Sequence, residues 1–287
     1  MSLTRAATPQ SSIWKRYNSQ KYLRQTNDFK PFDVLEMNKS DLDRLIAASN
    51  ELAAQERGEE AIALLTAALG VELEPTQSAV VYALRGYRMF CGNRLEDALS
   101  DFMSSLQRRP NAGTTRYYAG RALTALGRDS EALEQFEVCD KLQPGRVDTL
   151  LCMAYLRTRL GDLQRAKANA EQVLLLEPNN PVALVRLASV CSELGLPQDA
   201  LNCLRKIAPA NVGEFGADYP YNLGVCYEDI GDIAAAQAQY SMALRMDPNH
   251  EDALAGLKAT GRGGKHRKVH QRPQKRSRKR SRNLQKN

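Results

Sequence analysis

Histidine is nearly missing from this 287-residue chain: His250, His266 and His270 are the only three, and none precedes Pro248. The six cysteines, Cys91, Cys139, Cys152, Cys191, Cys203 and Cys226, include no C-x-x-C pair. A Cys/His zinc site needs ligands at short, convergent spacings, and none is offered. A Ser–His or Cys–His catalytic pair is equally hard to assemble. The expectation is a protein that is not an enzyme and that uses neither metal nor cofactor. No apolar run approaches 18 residues; the longest, such as Val173–Leu176, span four or five. That argues against a membrane-spanning helix. The first 20 residues hold no apolar stretch of secretory type, which argues against export. Without a signal of that kind, the cysteines read as reduced core thiols.

Acidic residues are missing from one place. The segment 261–287 has 12 Lys and Arg with no Asp or Glu, leaving 28 basic and 33 acidic residues in 1–260. The formal net charge of +7 is therefore a body of −5 joined to an arm of +12.

What the body does have is a period. Pro110, Pro144 and Pro178 follow one another at intervals of 34 residues, each preceded twelve residues earlier by an alanine: Ala98, Ala132 and Ala166. Pro248 has the same partner in Ala236. Gly127, Gly161, Gly195 and Gly231 mark turns in the same phase, and Phe102, Phe136 and Tyr240 stand four residues after the alanine. Between glycine and proline the apolar residues recur at helical spacing, as in Ala132, Leu133, Phe136 and Cys139. Gly86, Gly120, Ala154, Ala188 and Gly224 form a phase of small residues, as close helix–helix approach requires.

These residues resemble the tetratricopeptide repeat, a helix–turn–helix unit of 34 residues. The likeness runs from about Leu42 to His250, with units at Ala79–Ala112, Gly113–Arg146, Val147–Asn180, Pro181–Glu214 and Ala217–His250. The resemblance implies an all-α, right-handed superhelical solenoid, because no helix pair buries its apolar face alone. The domain reading is an N-terminal extension over 1–41, a degenerate repeat over 42–78, five repeats with a capping helix over 79–260, and a basic tail over 261–287. The fourth unit departs from the pattern: Pro209 comes early and two residues are added, so an irregular connection is expected there.

In proteins of this family, positions 2, 5, 6 and 9 of each first helix face a concave groove that holds a partner. Carried across, those positions and their near neighbours give Tyr87, Tyr117, Tyr118 and Arg121 as groove candidates. Further along they give Tyr155, Arg159, Arg186 and Tyr221. Tyrosine and arginine are favoured anchors for protein partners. The competing reading is that several of the tyrosines only seal one first helix against the next. Members that clamp a chaperone's C-terminal carboxylate use a set of Lys, Asn and Arg positions that this chain does not reproduce, so that role is set aside.

The arm carries two basic clusters: Lys265, Arg267 and Lys268, then Lys275, Arg276, Arg278, Lys279, Arg280 and Arg282. Such like-charge density predicts a segment that does not fold alone. Three roles fit it: a nuclear signal, a contact to RNA or another polyanion, or a contact to an acidic protein surface. The acid-free first 27 residues, with Arg5, Lys15, Arg16, Lys21 and Arg24, are compatible with a mitochondrial presequence, although Trp14, Tyr17 and Tyr22 look more like docking anchors. The expectation is a protein-binding scaffold of the cytoplasm or nucleus. The alternative is an RNA-binding or ribosome-assembly factor, with mitochondria as a further possible site.

Overall fold

The computed structural model describes residues 40–70 and 73–261; the N-terminal extension and the basic arm lie outside the described residues. All regular structure among those residues is α-helical. The helices run in antiparallel pairs: α1 (Ser40–Ala54) with α2 (Gly58–Ala68), α3 (Pro75–Cys91) with α4 (Leu95–Arg108), and α5 (Gly113–Ala125) with α6 (Asp129–Leu142). Then come α7 (Val147–Leu160) with α8 (Leu163–Leu176), and α9 (Pro181–Glu193) with α10 (Pro197–Arg205). After a short helix α11 (Pro209–Phe215), α12 (Asp218–Ile230) pairs with α13 (Ile233–Met246), and α14 (Glu251–Gly261) closes the stack. The 34-residue period is thus a solenoid of helix hairpins.

Local chemistry sets the hairpin turns. Gly127, Gly161, Gly195 and Gly231 all have positive φ, between 74° and 92°, which a residue without Cβ adopts at no steric cost. In the first full unit Asn93 takes that place, with φ 62°. Apart from α10, which opens on Pro197 with no side-chain cap, the second helices start in one of two complementary ways. Arg94 and Arg128 pair with an acid three residues on, Asp97 and Glu131. Asp162 and Asp232 instead accept a hydrogen bond from the backbone N–H three residues on. Either way, a carboxylate sits at the positive end of the helix dipole.

Within each unit the hairpin closes on a size match. A Cβ on Gly86 would lie 3.0 Å from Phe102, on Gly120 2.9 Å from Phe136, and on Gly224 2.6 Å from Tyr240. Phe102, Phe136 and Tyr240 are buried as a result. The third and fourth units carry Ala154 and Ala188 at the small position, and the residues sixteen later shrink to Ala170 and Leu204. Arginines from the first helices add polar staples: Arg85 forks onto the buried Asp101 at 2.7 and 2.8 Å, and Arg116 donates to Gln135 at 2.9 Å. Arg157 reaches both Asn169 and Glu137.

Two boundaries differ from expectation. α3 begins at Pro75, four residues ahead of the first full unit, because Pro75 at the first helical position and the capping box between Glu74 and Gln77 start the helix earlier. The irregular stretch of the fourth unit is a short helix instead: Pro209 opens α11, the buried Phe215 anchors it, and Gly216 ends it at φ 54°. The last helix, α14, buries Ala253 against the last pair.

Candidate functional site

First helices of neighbouring units touch one another, α3 with α5 and α7 with α9, and no comparable contact joins the second helices. The first helices are therefore crowded on the inner side of the solenoid and the second helices spread on the outer side. The candidate site lies along that inner wall.

Its floor is aromatic. The rings of Tyr87 and Tyr118 meet edge to face at 4.9 Å between centroids, and Tyr117 meets Tyr118 at 5.3 Å. Tyr118 also stacks on Phe102, and Tyr117 meets Phe136 at 5.8 Å. Such geometries are favourable for ring quadrupoles. Tyr87, Tyr117, Tyr118 and Tyr155 are buried, at 5 to 9% exposure. They join successive first helices, so most of each ring faces protein. Burial pushes the hydroxyls of Tyr87 and Tyr117 well above the ordinary phenol range and raises that of Tyr118.

Guanidinium groups lie over this floor. Arg121 on α5 stands 5.3 Å from the ring of Phe90 on α3 and 5.7 Å from that of Tyr117. Arg146, the residue before α7, covers Tyr117 at 4.2 Å. Arg186 on α9, itself buried, covers Tyr155 at 4.6 Å, and Arg159 covers the same ring at 5.5 Å. Each is a cation–π contact. Arg159 also pairs with Asp129 at 3.0 Å and donates to the Tyr155 hydroxyl at 3.3 Å. Cys152 marks the centre. Burial pushes its thiol up to about 11, with the charges of Arg121, Arg186 and Arg146 acting against that rise and Asp148 adding to it.

The structure thus brings seven of the eight candidates into two neighbouring groups, Tyr87, Tyr117, Tyr118 and Arg121 in one and Tyr155, Arg159 and Arg186 in the other. Tyr221 stands apart, its ring 6.0 Å from Tyr240 and 5.0 Å from His250 near the capping helix. Burial, with Asp252, Glu228 and Asp218 nearby, pushes its hydroxyl up to about 12. Arg146 was not among the candidates. It lies at the last position of its unit, outside the first-helix positions that the family likeness singles out. The arm residues Lys265 to Arg282 lie outside the described residues.

Chemically, this surface holds permanent cations, neutral phenols and protonated thiols. It can donate hydrogen bonds to anionic oxygen and stack on flat groups. Among the described residues no group of three or more His, Cys, Asp and Glu side chains could hold a metal ion. No helix among them is long and apolar enough to cross a membrane.

Comparison with known proteins agrees with this architecture. Two family models described as tetratricopeptide repeat match residues 158–215 and 217–250. Cellulose synthase operon protein C of Pseudomonas fluorescens (strain SBW25) is 30% identical over 130 residues, which are 43% of this chain but only 10% of that protein. The chain therefore spans about a tenth of that curated relative's length. Among solved structures, PilW, described as a widely conserved type IV pilus biogenesis factor, aligns with a TM-score of 0.64 at 18% identity, covering 76% of this chain and 99% of that one. YrrB, described as a TPR protein with an unusual peptide-binding site, aligns with a TM-score of 0.54 at 23% identity, covering 63% and 92%. At these identities the structural likeness speaks for the fold.

Proposed function

Since the chain belongs to the tetratricopeptide-repeat family, whose members generally mediate protein–protein interactions, we propose that it is a non-enzymatic scaffold holding a partner segment against the inner wall of α5, α7 and α9. One observation carries this reading. Arg121, half-buried among aromatic rings, makes no hydrogen bond or ion pair among the described residues, whereas Arg85, Arg94, Arg128 and Arg157 each meet a carboxylate. A desolvated donor group of this kind is stabilised when a partner supplies acceptors. The peptide-binding site named for YrrB is in keeping with this use of the fold.

The arm over 261–287 is the second contact in this proposal, made to an acidic partner or to nucleic acid. Its paired basic clusters also fit a nuclear signal, so the proposed compartments are cytoplasm and nucleus.

The test is affinity purification of the full chain from its native cells, compared with Arg121→Gln and with Lys167→Gln on α8. A partner lost from the first variant and kept by the second supports the groove. A partner list unchanged by Arg121→Gln refutes it.

A further inference from the structure

Where α2 stops, a cleft of about 500 Å³ opens, lined chiefly by Leu69, Leu73, Pro75, Tyr82 and Arg108. α2 has 11 residues where α4, α6 and α8 have 14, so it ends nearly one turn early. Leu69 and Leu73 are only partly buried there. Tyr82 shows the consequence. The residues at its place in later units are covered: Leu150, Leu184 and Pro220 are buried, and Arg116 is held by Pro110 and Gln135. Tyr82 is half-buried, with Arg108 over its ring at 4.7 Å. Arg108 donates to the Ser104 carbonyl at 2.8 Å and meets no carboxylate among the described residues.

The chain itself supplies a segment that fits. α1 and α2 are antiparallel, so the chain enters α1 at the end of the pair where α2 stops. Leu42, near the start of α1, is buried in the same cluster that Leu69 and Leu73 border. Residues 28–36, which lie outside the described residues, carry Phe29, Phe32, Val34 and Leu35. Leu35 and Phe29 precede Ser40 by five and eleven residues, a reach of roughly 17 to 36 Å when extended. Pro31 favours extended backbone at the residue before it. Asp28, Asp33 and Glu36 against Lys30 give the segment a net charge of −2, which suits the cation at Arg108. Other parts of the chain fit less well. The first 27 residues have five basic residues and no acid, and 261–287 has 12 basic residues and no acid.

We propose that the cleft is the docking site of this chain's own segment 28–36. Phe29 and Phe32 fill it against Leu69, Leu73 and Tyr82, and the segment's acids face Arg108. The docked segment takes the place of the turn that α2 lacks and closes the first end of the stack, where a solenoid needs a cap. This interface is separate from the inner wall and does not depend on the groove reading.

The test is photo-cross-linking of the full chain carrying Phe32→p-benzoylphenylalanine, mapped by mass spectrometry. Cross-links should form within one chain, on residues 69–82 or on Gln107 and Arg108. No cross-link to these residues overturns the proposal. Cross-links to them from a second chain overturn it as well, since the occupant is then another copy. Hydrogen–deuterium exchange gives a second reading, with changes placed outside the helices of the solenoid. In the double variant Phe29→Ser with Phe32→Ser, the amides of 76–82 should exchange at least about threefold faster than in the parent chain. Those of α9 should stay unchanged. A peptide of residues 26–38 added to that variant should restore the slow exchange, and the same peptide with both serines should not. Arg108→Glu, which sets an acid against the segment's acids, should speed the same amides. Equal exchange in the parent chain and the double variant overturns the proposal, as does slow exchange that the parent chain loses on dilution.

Discussion

Tyr240 packs against Gly224 so closely that a Cβ on Gly224 would sit 2.6 Å from two of its ring carbons. Gly256 of the capping helix presses from the other side, where a Cβ would meet the ring at 2.7 Å. The hydroxyl donates to Glu228 at 2.7 Å. Gly224→Ala should therefore cost about 1–3 kcal/mol through overpacking. Gly58→Ala, with no atom within 4 Å of the added carbon, should be neutral or stabilising. The double variant Gly224→Ala with Tyr240→Leu copies the pairing of Ala188 with Leu204 and should recover part of the loss. Urea unfolding of the parent chain, these three variants and Tyr240→Leu alone checks this. Additive costs in the double variant would contradict the size match.

The fold was legible in the sequence to an unusual degree because that size match is local: glycine and ring lie sixteen residues apart in one hairpin and repeat with the period. The turn glycines were legible for the same reason, since positive φ leaves a residue signature. Asn93 in the first unit was harder to see. The inner wall was only half legible. The family likeness singled out the tyrosines on the first helices, but their burial depends on how closely α3, α5, α7 and α9 approach one another, which no single repeat encodes. Arg146 escaped for a related reason: it covers a ring of its own unit, Tyr117, from a position outside the first helix. α11 was invisible because seven residues are too few to show a period.

Alkali should unfold the chain steeply. Burial holds the hydroxyls of Tyr87, Tyr117, Tyr118 and Tyr240 above the ordinary range, and that of Tyr221 at about 12. In the unfolded chain tyrosine loses its proton near pH 10. The stability tied to these protons is fully present below pH 10 and is lost as pH rises towards the folded values. The slope is about 1.4 kcal/mol per pH unit for each such tyrosine. Denaturation at pH 9, 10 and 11 should show this fall, and Tyr118→Phe should make it shallower.

Thiol reagents should find one fast site. Cys91 is exposed, Cys152 half-buried and the other four cysteines buried. Burial raises the thiols of Cys91, Cys139 and Cys191, and holds Cys203 at about 11 and Cys226 at about 12, so surface exposure and not thiolate content is what sets Cys91 apart. Titration with a disulfide reagent at pH 8 should give one rapid equivalent, abolished by Cys91→Ser. Several fast equivalents would contradict the burial described.

His250 should act as a clasp for the capping helix. Its Nδ1 accepts from the N–H of Ala253 at 3.2 Å, so the ring's Nε2 carries the proton and donates to Asp218 at 3.1 Å. His250→Ala removes both the helix cap and the tie to α12, at a cost of about 1–2 kcal/mol. His250→Asn restores the cap alone and should recover part of it. Hydrogen exchange of the α14 amides reads both effects.

The central claim is that the crowded first helices form the binding face. Hydrogen–deuterium exchange of the full chain, alone and with the partner that co-purifies with it, tests this most directly. The account predicts slower exchange in α5, α7 and α9, lost in Arg121→Gln. Slowing confined to the outer helices α6, α8 and α10, or slowing that Arg121→Gln leaves intact, would contradict it.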